Sequence, residues 1–325
     1  MRKVNAIEKK EAKAPRNKTI DFTKDEGKRY YDRLMHLDKP TPLEALLNKT
    51  ILGDTLRILE FLPNNSVDLV VVDPPYNLSK NYHGNLFDKK RTDEYADYTR
   101  QWLEKVMAKM KDTASMYVCC DWKSSLIIGP ILNDYLNVQN RITWQREKGR
   151  GSKKNWKNAM EDIWFVTKGK DYTFNVEDVK MRKKVLAPYK VDGLPKDWDE
   201  TNEGKFRNSY PSNFWDDISV PYWSMPENTA HPTQKPEKLM AKLLLASSNK
   251  DDVVLDPFLG SGTTSVVAKK LGRRYIGIET NERYCLWAEH RLEKATHDKT
   301  IQGFASGVFW ERNTLTEKQK TTKKN

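Results

Sequence analysis

The chain has 325 residues, enough for one large α/β domain with a sizeable core and a smaller insertion. Its 57 Lys and Arg against 45 Asp and Glu give a formal net charge of +12, which points to a polyanionic partner, and no apolar run approaches membrane-spanning length. The three cysteines, Cys119, Cys120 and Cys285, form neither an even disulfide framework nor a metal-ligand spacing, so no metal is implied and a reducing cytoplasm is the expected home.

Residues 1–47 form a charged, Pro-containing extension without the apolar stretch of a secretory signal. From residue 48 to 168 strand-like and helix-like segments alternate, the pattern of an α/β core. Val67 to Val72 is apolar, rich in β-branched residues and without helical period, as expected of a strand buried on both faces. Asp73-Pro74-Pro75-Tyr76 follows it, and the two prolines must end the strand. A helix is expected over Tyr95 to Met110, with Trp102, Leu103 and Val106 on one face, then another buried strand over Met116 to Cys120. Arg141 to Trp144 and Asp162 to Val166 flank a basic loop, Arg146 to Lys157, whose six cations suit contact with phosphates.

Residues 169–228 lose the alternation and carry Trp198, Phe206, Arg207, Asn208, Tyr210, Asn213, Phe214, Trp215, Tyr222 and Trp223. Arg and Asn can read base edges in a major groove, whereas most of the aromatics are expected to form the core of that small region. Residues 229–297 return to the α/β pattern. His231-Pro232-Thr233-Gln234-Lys235-Pro236 leads into a helix over Glu237 to Ser248, and Asp252 to Asp256 is a short apolar strand. Phe258-Leu259-Gly260-Ser261-Gly262-Thr263 is a Gly-x-Gly turn opening a helix, and Arg274 to Glu279 is the next strand. It places an acidic side chain about 20 residues past the turn, where nucleotide-binding βαβ units hold ribose hydroxyls. The loop has neither the third glycine of a dinucleotide fingerprint nor the Gly-Lys-Ser/Thr of a P-loop, so a nucleoside cofactor without phosphate, such as S-adenosylmethionine, suits it best. Residues 298–325 are a basic tail.

The Asp73 carboxylate and the Pro74 carbonyl at a strand end suit an amine whose lone pair is delocalised into a ring. Two acceptors taking its hydrogens would push the nitrogen toward an attacking geometry. Tyr76 would offer a flat face to a base flipped out of a duplex.

With these residues in place, the chain over about 48–295 resembles the amino-directed DNA methyltransferases of bacterial restriction-modification systems, which make N6-methyladenine or N4-methylcytosine. Asp73-Pro74-Pro75-Tyr76 resembles the catalytic motif and Phe258 to Gly262 the cofactor loop; their order is that of the β group. The resemblance implies a doubly wound, Rossmann-like core with a target-recognition region at 169–228, between a catalytic half at 48–168 and a cofactor half at 229–297. It implies S-adenosylmethionine as cofactor and double-stranded DNA as partner, and it admits a homodimer and a cognate restriction endonuclease. By the same resemblance Asp73, Pro74, Pro75 and Tyr76 are catalytic, while Asp54, Asp73, Thr233, Lys235, Asp256, Phe258, Gly260, Ser261, Gly262, Thr263 and Glu279 hold the cofactor, Asp54 at its adenine. The family's His-Glu near the basic loop stands here as Met160-Glu161, a departure that leaves that pair without an assigned role. Cytosine-directed relatives more often have Ser before Pro-Pro-Tyr and RNA-directed ones Asn, so Asp73 favours adenine in DNA over N4-cytosine or RNA. A basic nucleic-acid-binding protein using the core only as scaffold is the non-enzymatic alternative. Cys119 and Cys120, on a buried strand, are read as small apolar residues and not as nucleophiles.

Overall fold

The computed structural model describes residues 14–82, 85–146, 153–185, 188–201 and 204–311. Its centre is an eight-stranded sheet, with strands β1 (Lys49–Leu52), β2 (Val67–Val72), β3 (Met110–Cys120), β4 (Asn137–Gln145), β5 (Met160–Thr167), β6 (Phe214–Trp215), β7 (Val253–Asp256) and β8 (Arg274–Glu279). Their spatial order is β1-β8-β7-β2-β3-β5-β4-β6. All neighbours are parallel except that β5 runs against both β3 and β4.

Eight α-helices accompany the sheet among the described residues: α1 (Lys24–Tyr31), α2 (Leu43–Leu46), α3 (Thr55–Phe61), α4 (Thr92–Lys109), α5 (Trp122–Tyr135), α6 (Glu237–Ser247), α7 (Thr263–Lys270) and α8 (Glu282–His297). Strand β2 shows why its sequence has no alternation. Leu69 and Val71 pack toward α6, α7 and α8, while Val70 and Val72 pack toward α3, α4 and α5. Burying each of these side chains is worth about 1.5–3 kcal/mol, so both faces demand apolar residues. The sheet is thus doubly wound, as the sequence implied.

Strands β2 and β7 lie about 180 residues apart in the chain yet are neighbours, with Leu69 opposite Val254 and Val70 opposite Leu255. The carboxyl ends of β2, β7 and β8 therefore converge on one edge. Because β5 is antiparallel, with Asp162 opposite Cys120, its amino end reaches the same edge.

The flanks differ from the sequence expectation. The extension expected over 1–47 is folded from residue 20 onward: Ile20 bridges Thr229, and α1 is closed by a Thr23–Glu26 capping box and buries Tyr30 with Cys285 and Leu286. The basic tail expected from residue 298 enters a second, five-stranded sheet, where Val308–Trp310 pairs with Met181–Lys184. Strands Gly204–Ser209 and Asp199–Thr201 complete that sheet on one side and Phe304–Ala305 on the other. The separate region expected at 169–228 also gives Phe214–Trp215 back to the core sheet, beside Thr143 and Trp144. No helix among the described residues is long and apolar enough to cross a membrane.

Candidate active site

At the carboxyl edge of the sheet, Asp73 leaves β2 and meets two donors. Lys235 Nζ lies 2.6 Å from its Oδ2, and the Tyr76 hydroxyl donates to its Oδ1 over 2.9 Å. Lys235 also reaches Glu161 Oε2 at 3.4 Å and donates to the Tyr76 hydroxyl over 3.1 Å. Glu161, at the amino end of β5, is closed off by an ion pair with Arg146. Two carboxylates and two cations thus form one compact, neutral cluster, in which the Lys235 and Glu161 side chains are 6% and 3% exposed.

Burial opposes charge on Glu161 and Lys235, but their partners prevail. Lys235 and Arg146 hold Glu161 below the usual carboxylate range despite its burial, and Asp73 and Glu161 hold Lys235 protonated above the usual lysine range. Burial, with the charges of Asp73 and Glu161, pushes the Tyr76 phenol well up, so it remains a donor. The Pro74 carbonyl receives no hydrogen bond among the described residues. It is an acceptor left open beside the Asp73 carboxylate, as a strand ended by two prolines requires.

Lys235 owes its position to the segment before α6. Gln234 accepts from the backbone and hydroxyl of Thr229 over 2.9 and 2.6 Å, and donates to the Glu227 carbonyl over 2.7 Å. The Lys235 carbonyl accepts from Thr263 Oγ1 over 3.0 Å, which ties the segment to the first residue of α7.

The neighbouring half of the edge is built by the glycine turn between β7 and α7. Gly260 and Gly262 adopt φ of +56° and +86°, a conformation that costs other residues about 1 kcal/mol or more. A Cβ on Gly262 would stand 2.5 Å from the Ala288 Cβ, so the turn also depends on close packing against α8. Glu279, at the end of β8, fixes the turn by accepting from the backbone amides of Gly260 and Asn281 over 2.8 and 2.7 Å. Asp256, at the end of β7, accepts from the amide of Phe258 over 3.0 Å. Burial pushes the Asp256 carboxyl up to about 7 and also raises Glu279. Among the described residues neither carboxylate forms an ion pair with a lysine or arginine, in contrast to Glu161.

Both halves open into one cavity of about 350 Å³, within the range of small-molecule sites. It is lined by Asp73, Pro74, Pro75, Tyr76, Thr233, Lys235, Asp256, Phe258, Gly260, Ser261, Thr263 and Glu279 of the residues singled out from sequence. Gly262 shapes the turn without lining the cavity, and Asp54 stays outside it, its carboxylate capping α3 at the Arg57 amide over 3.1 Å. Ser261 and Thr263 are braced from behind by the buried Arg291, which donates to the Ser261 carbonyl and to Thr263 Oγ1 over 2.9 Å each. A larger cavity, about 920 Å³, opens beside α6 and α8 but is lined by none of the site residues predicted from sequence.

Sequence reasoning missed two members of the cluster. Glu161 had no role, because only the antiparallel direction of β5 brings it to this edge, and Arg146, just past the carboxyl end of β4, was assigned to a phosphate-contacting loop. Lys148, Gly149, Arg150 and Gly151 of that loop lie outside the described residues. Burial pushes the Cys119 and Cys120 thiols well up, away from the thiolate a nucleophile needs.

Comparison with known proteins agrees with this arrangement. The profile of the N6/N4 DNA methylase family matches residues 67–290. Type II methyltransferase M.HpaI of Haemophilus parainfluenzae is 34% identical over 261 residues, 79% of this chain and 76% of its own. The DNA adenine methyltransferase YhdJ of Escherichia coli (strain K12) is 36% identical over 256 residues, 77% of this chain and 84% of its own. Among solved structures, the cytosine-N4-specific PvuII DNA methyltransferase shares the fold at a TM-score of 0.59 and 21% identity, over 80% of this chain and 92% of its own. The M1.HpyAVI–SAM complex shares it at 0.51 and 23%, over 75% and 98%.

Proposed function

This chain belongs to the N6/N4 DNA methylase family, and from that premise we propose that it methylates the exocyclic N6 amine of adenine in duplex DNA with S-adenosylmethionine as donor. The observation that carries the proposal is the pairing of a fixed Asp73 carboxylate with the open Pro74 carbonyl, one strand away from the glycine turn.

The cavity fits the cofactor. Asp256 and Glu279 flank the turn with acceptors for hydroxyl and amine groups, and their charges oppose a pyrophosphate while favouring a cation. Glu279 spends one site on each oxygen on backbone amides, yet a carboxylate has about four acceptor sites, so hydroxyls still find partners. Phe258 and Leu259 supply apolar wall, and Thr233 and Lys235 stand at the catalytic end. When bound, S-adenosylmethionine supplies an electrophilic methyl group.

The chain's own residues prepare the amine. Tyr76 and Lys235 occupy one site on each Asp73 oxygen, which leaves about two further sites to accept an amine hydrogen. The Pro74 carbonyl accepts the other, and the nitrogen lone pair is turned out of conjugation toward the donor. Glu161 keeps Lys235 charged and in place, so the cluster arrives preorganised. Tyr76 offers its ring to the flipped base. Adenine is favoured over cytosine by Asp73 itself and by the adenine specificity in the name of YhdJ. Double-stranded DNA as partner is supported by the family and by the +12 charge, and a DNA substrate supports the cytoplasmic home read from the cysteines. The resemblance admits a homodimer and a cognate restriction endonuclease; sedimentation of the pure protein tests the first.

The test is transfer of a radiolabelled methyl group to unmethylated genomic DNA, digestion to nucleosides and identification of the labelled base. Label in N6-methyladenine supports the proposal; label in N4-methylcytosine, or none, overturns it.

A further inference from the structure

Trp156 is the most exposed large apolar side chain among the described residues, at 93%. Its neighbours Lys153, Lys154 and Lys157 are exposed as well. An indole left wholly in water is costly unless it is used, and three cations around it suit a polyanion.

The position is specific. This loop joins β4 to β5, and its base is fixed where the Arg146 amide donates to the Ala159 carbonyl over 2.7 Å. Arg146, Asn158 and Met160 line the catalytic cavity, whereas Trp156 does not. Two residues of chain span at most about 7 Å, so Trp156 stands at the rim next to Asn158 and points into solvent instead of the cavity.

On the function proposed above, a base entering the cavity leaves a gap in the duplex at that rim. We propose that Trp156 is the wedge that fills this gap, stacking between the neighbouring base pairs in place of the flipped base. Unstacking and unpairing the target carry a free-energy cost, and an inserted flat side chain offsets it. The flanking lysines hold the loop on the phosphates. The indole stays outside the pocket, so it acts on the duplex left behind, and Tyr76 faces the extruded base.

The experiment compares Trp156→Ala and Trp156→Phe with wild type on two oligonucleotide duplexes carrying the methylated site, once that site is mapped. One duplex is fully paired; in the other the target base faces an abasic position, so that its unpairing is already complete. On the paired duplex, Trp156→Ala should lower kcat/KM about tenfold or more, the scale of one base-stacking contact. Fluorescence of a 2-aminopurine at the target should also rise less on binding. On the abasic duplex the loss should shrink to about threefold or less, since little flipping cost remains. Trp156→Phe should stay near wild type on both. Equal losses on the two duplexes, or no loss on the paired one, would overturn the proposal. A failure of the underlying function would look different, because wild type itself would then transfer no label to DNA. An unchanged melting temperature of the Ala variant checks that the fold is intact.

Discussion

The two halves of the catalytic edge treat their carboxylates in opposite ways. Around β2 and β5, Asp73 and Glu161 are each engaged by a cation, and the cluster is neutral. Around β7 and β8, Asp256 and Glu279 are held by backbone amides, and burial raises both. The difference follows the proposed ligands. A neutral amine needs a carboxylate fixed in place, which paired cations provide; a cationic donor is best met by carboxylates whose charge is not already cancelled.

The largest effect that sharpens this comparison is expected at Asp73. Asp73→Ala should lower methyl transfer by about 10²–10³-fold or more while calorimetric affinity for S-adenosylmethionine falls far less. Near-normal turnover would break the assignment of the catalytic half. Lys235→Met should follow: it leaves Asp73 and the buried Glu161 without their shared cation, a loss worth about 3–5 kcal/mol for a broken buried pair. Denaturant unfolding at neutral pH measures it, and Lys235→Met with Glu161→Gln should recover part of it. Gly262→Ala acts on the cofactor half alone. With φ of +86° and Ala288 2.5 Å from the new methyl, it should cost about 1–3 kcal/mol and weaken cofactor binding.

The remaining effect is a pH dependence to which the cofactor half contributes through Asp256. Asp256 ionises near 7 in the fold because burial, with Asp73 and Glu279 nearby, opposes its charge. A raised carboxyl makes the folded state hold the proton that the unfolded chain releases, so stability without cofactor should fall as pH rises from about 4 to about 7 and then level off. Affinity for the cationic cofactor should rise through the same upper end as Asp256 becomes charged. Asp256→Asn should flatten the affinity curve and remove part of the stability slope, the rest coming from the buried Glu227, whose carboxyl is also pushed up to about 7; a wild-type affinity independent of pH between about 6 and 8 would break the electrostatic account of this half.

Much of this was legible in the sequence because local signals and tertiary need coincide. The apolar run of β2 ended by Pro74 and Pro75, and the Gly260–Gly262 turn opening a helix, are punctuated by residues that allow little else. Glu161 and Arg146 were illegible for the opposite reason. Glu161 reaches the site only because β5 runs against its neighbours, Arg146 is held there by Glu161, and a strand's direction leaves no trace in its own residues. The flank read only as a charged extension holds the Thr23–Glu26 capping box that starts α1, and the short strands Phe304–Ala305 and Val308–Trp310 have no period to show and exist only because Met181–Lys184 offers an edge. The aromatics of the recognition region divide by the same logic. Trp198, Phe206 and Trp215 are buried, and Tyr210, Phe214 and Trp223 are exposed, a split that composition alone does not decide.

The adjacency of β2 and β7 sets a schedule for synthesis. As the chain emerges from the ribosome, β2 can pair with β3 once residue 120 is out, but its other edge waits for residues 253–256. For more than a hundred residues of elongation an apolar strand is left with one open side, a slow and aggregation-exposed condition for any nascent chain. The Asp73–Tyr76 tetrapeptide is thus among the first segments of the candidate site made and among the last to acquire its surroundings.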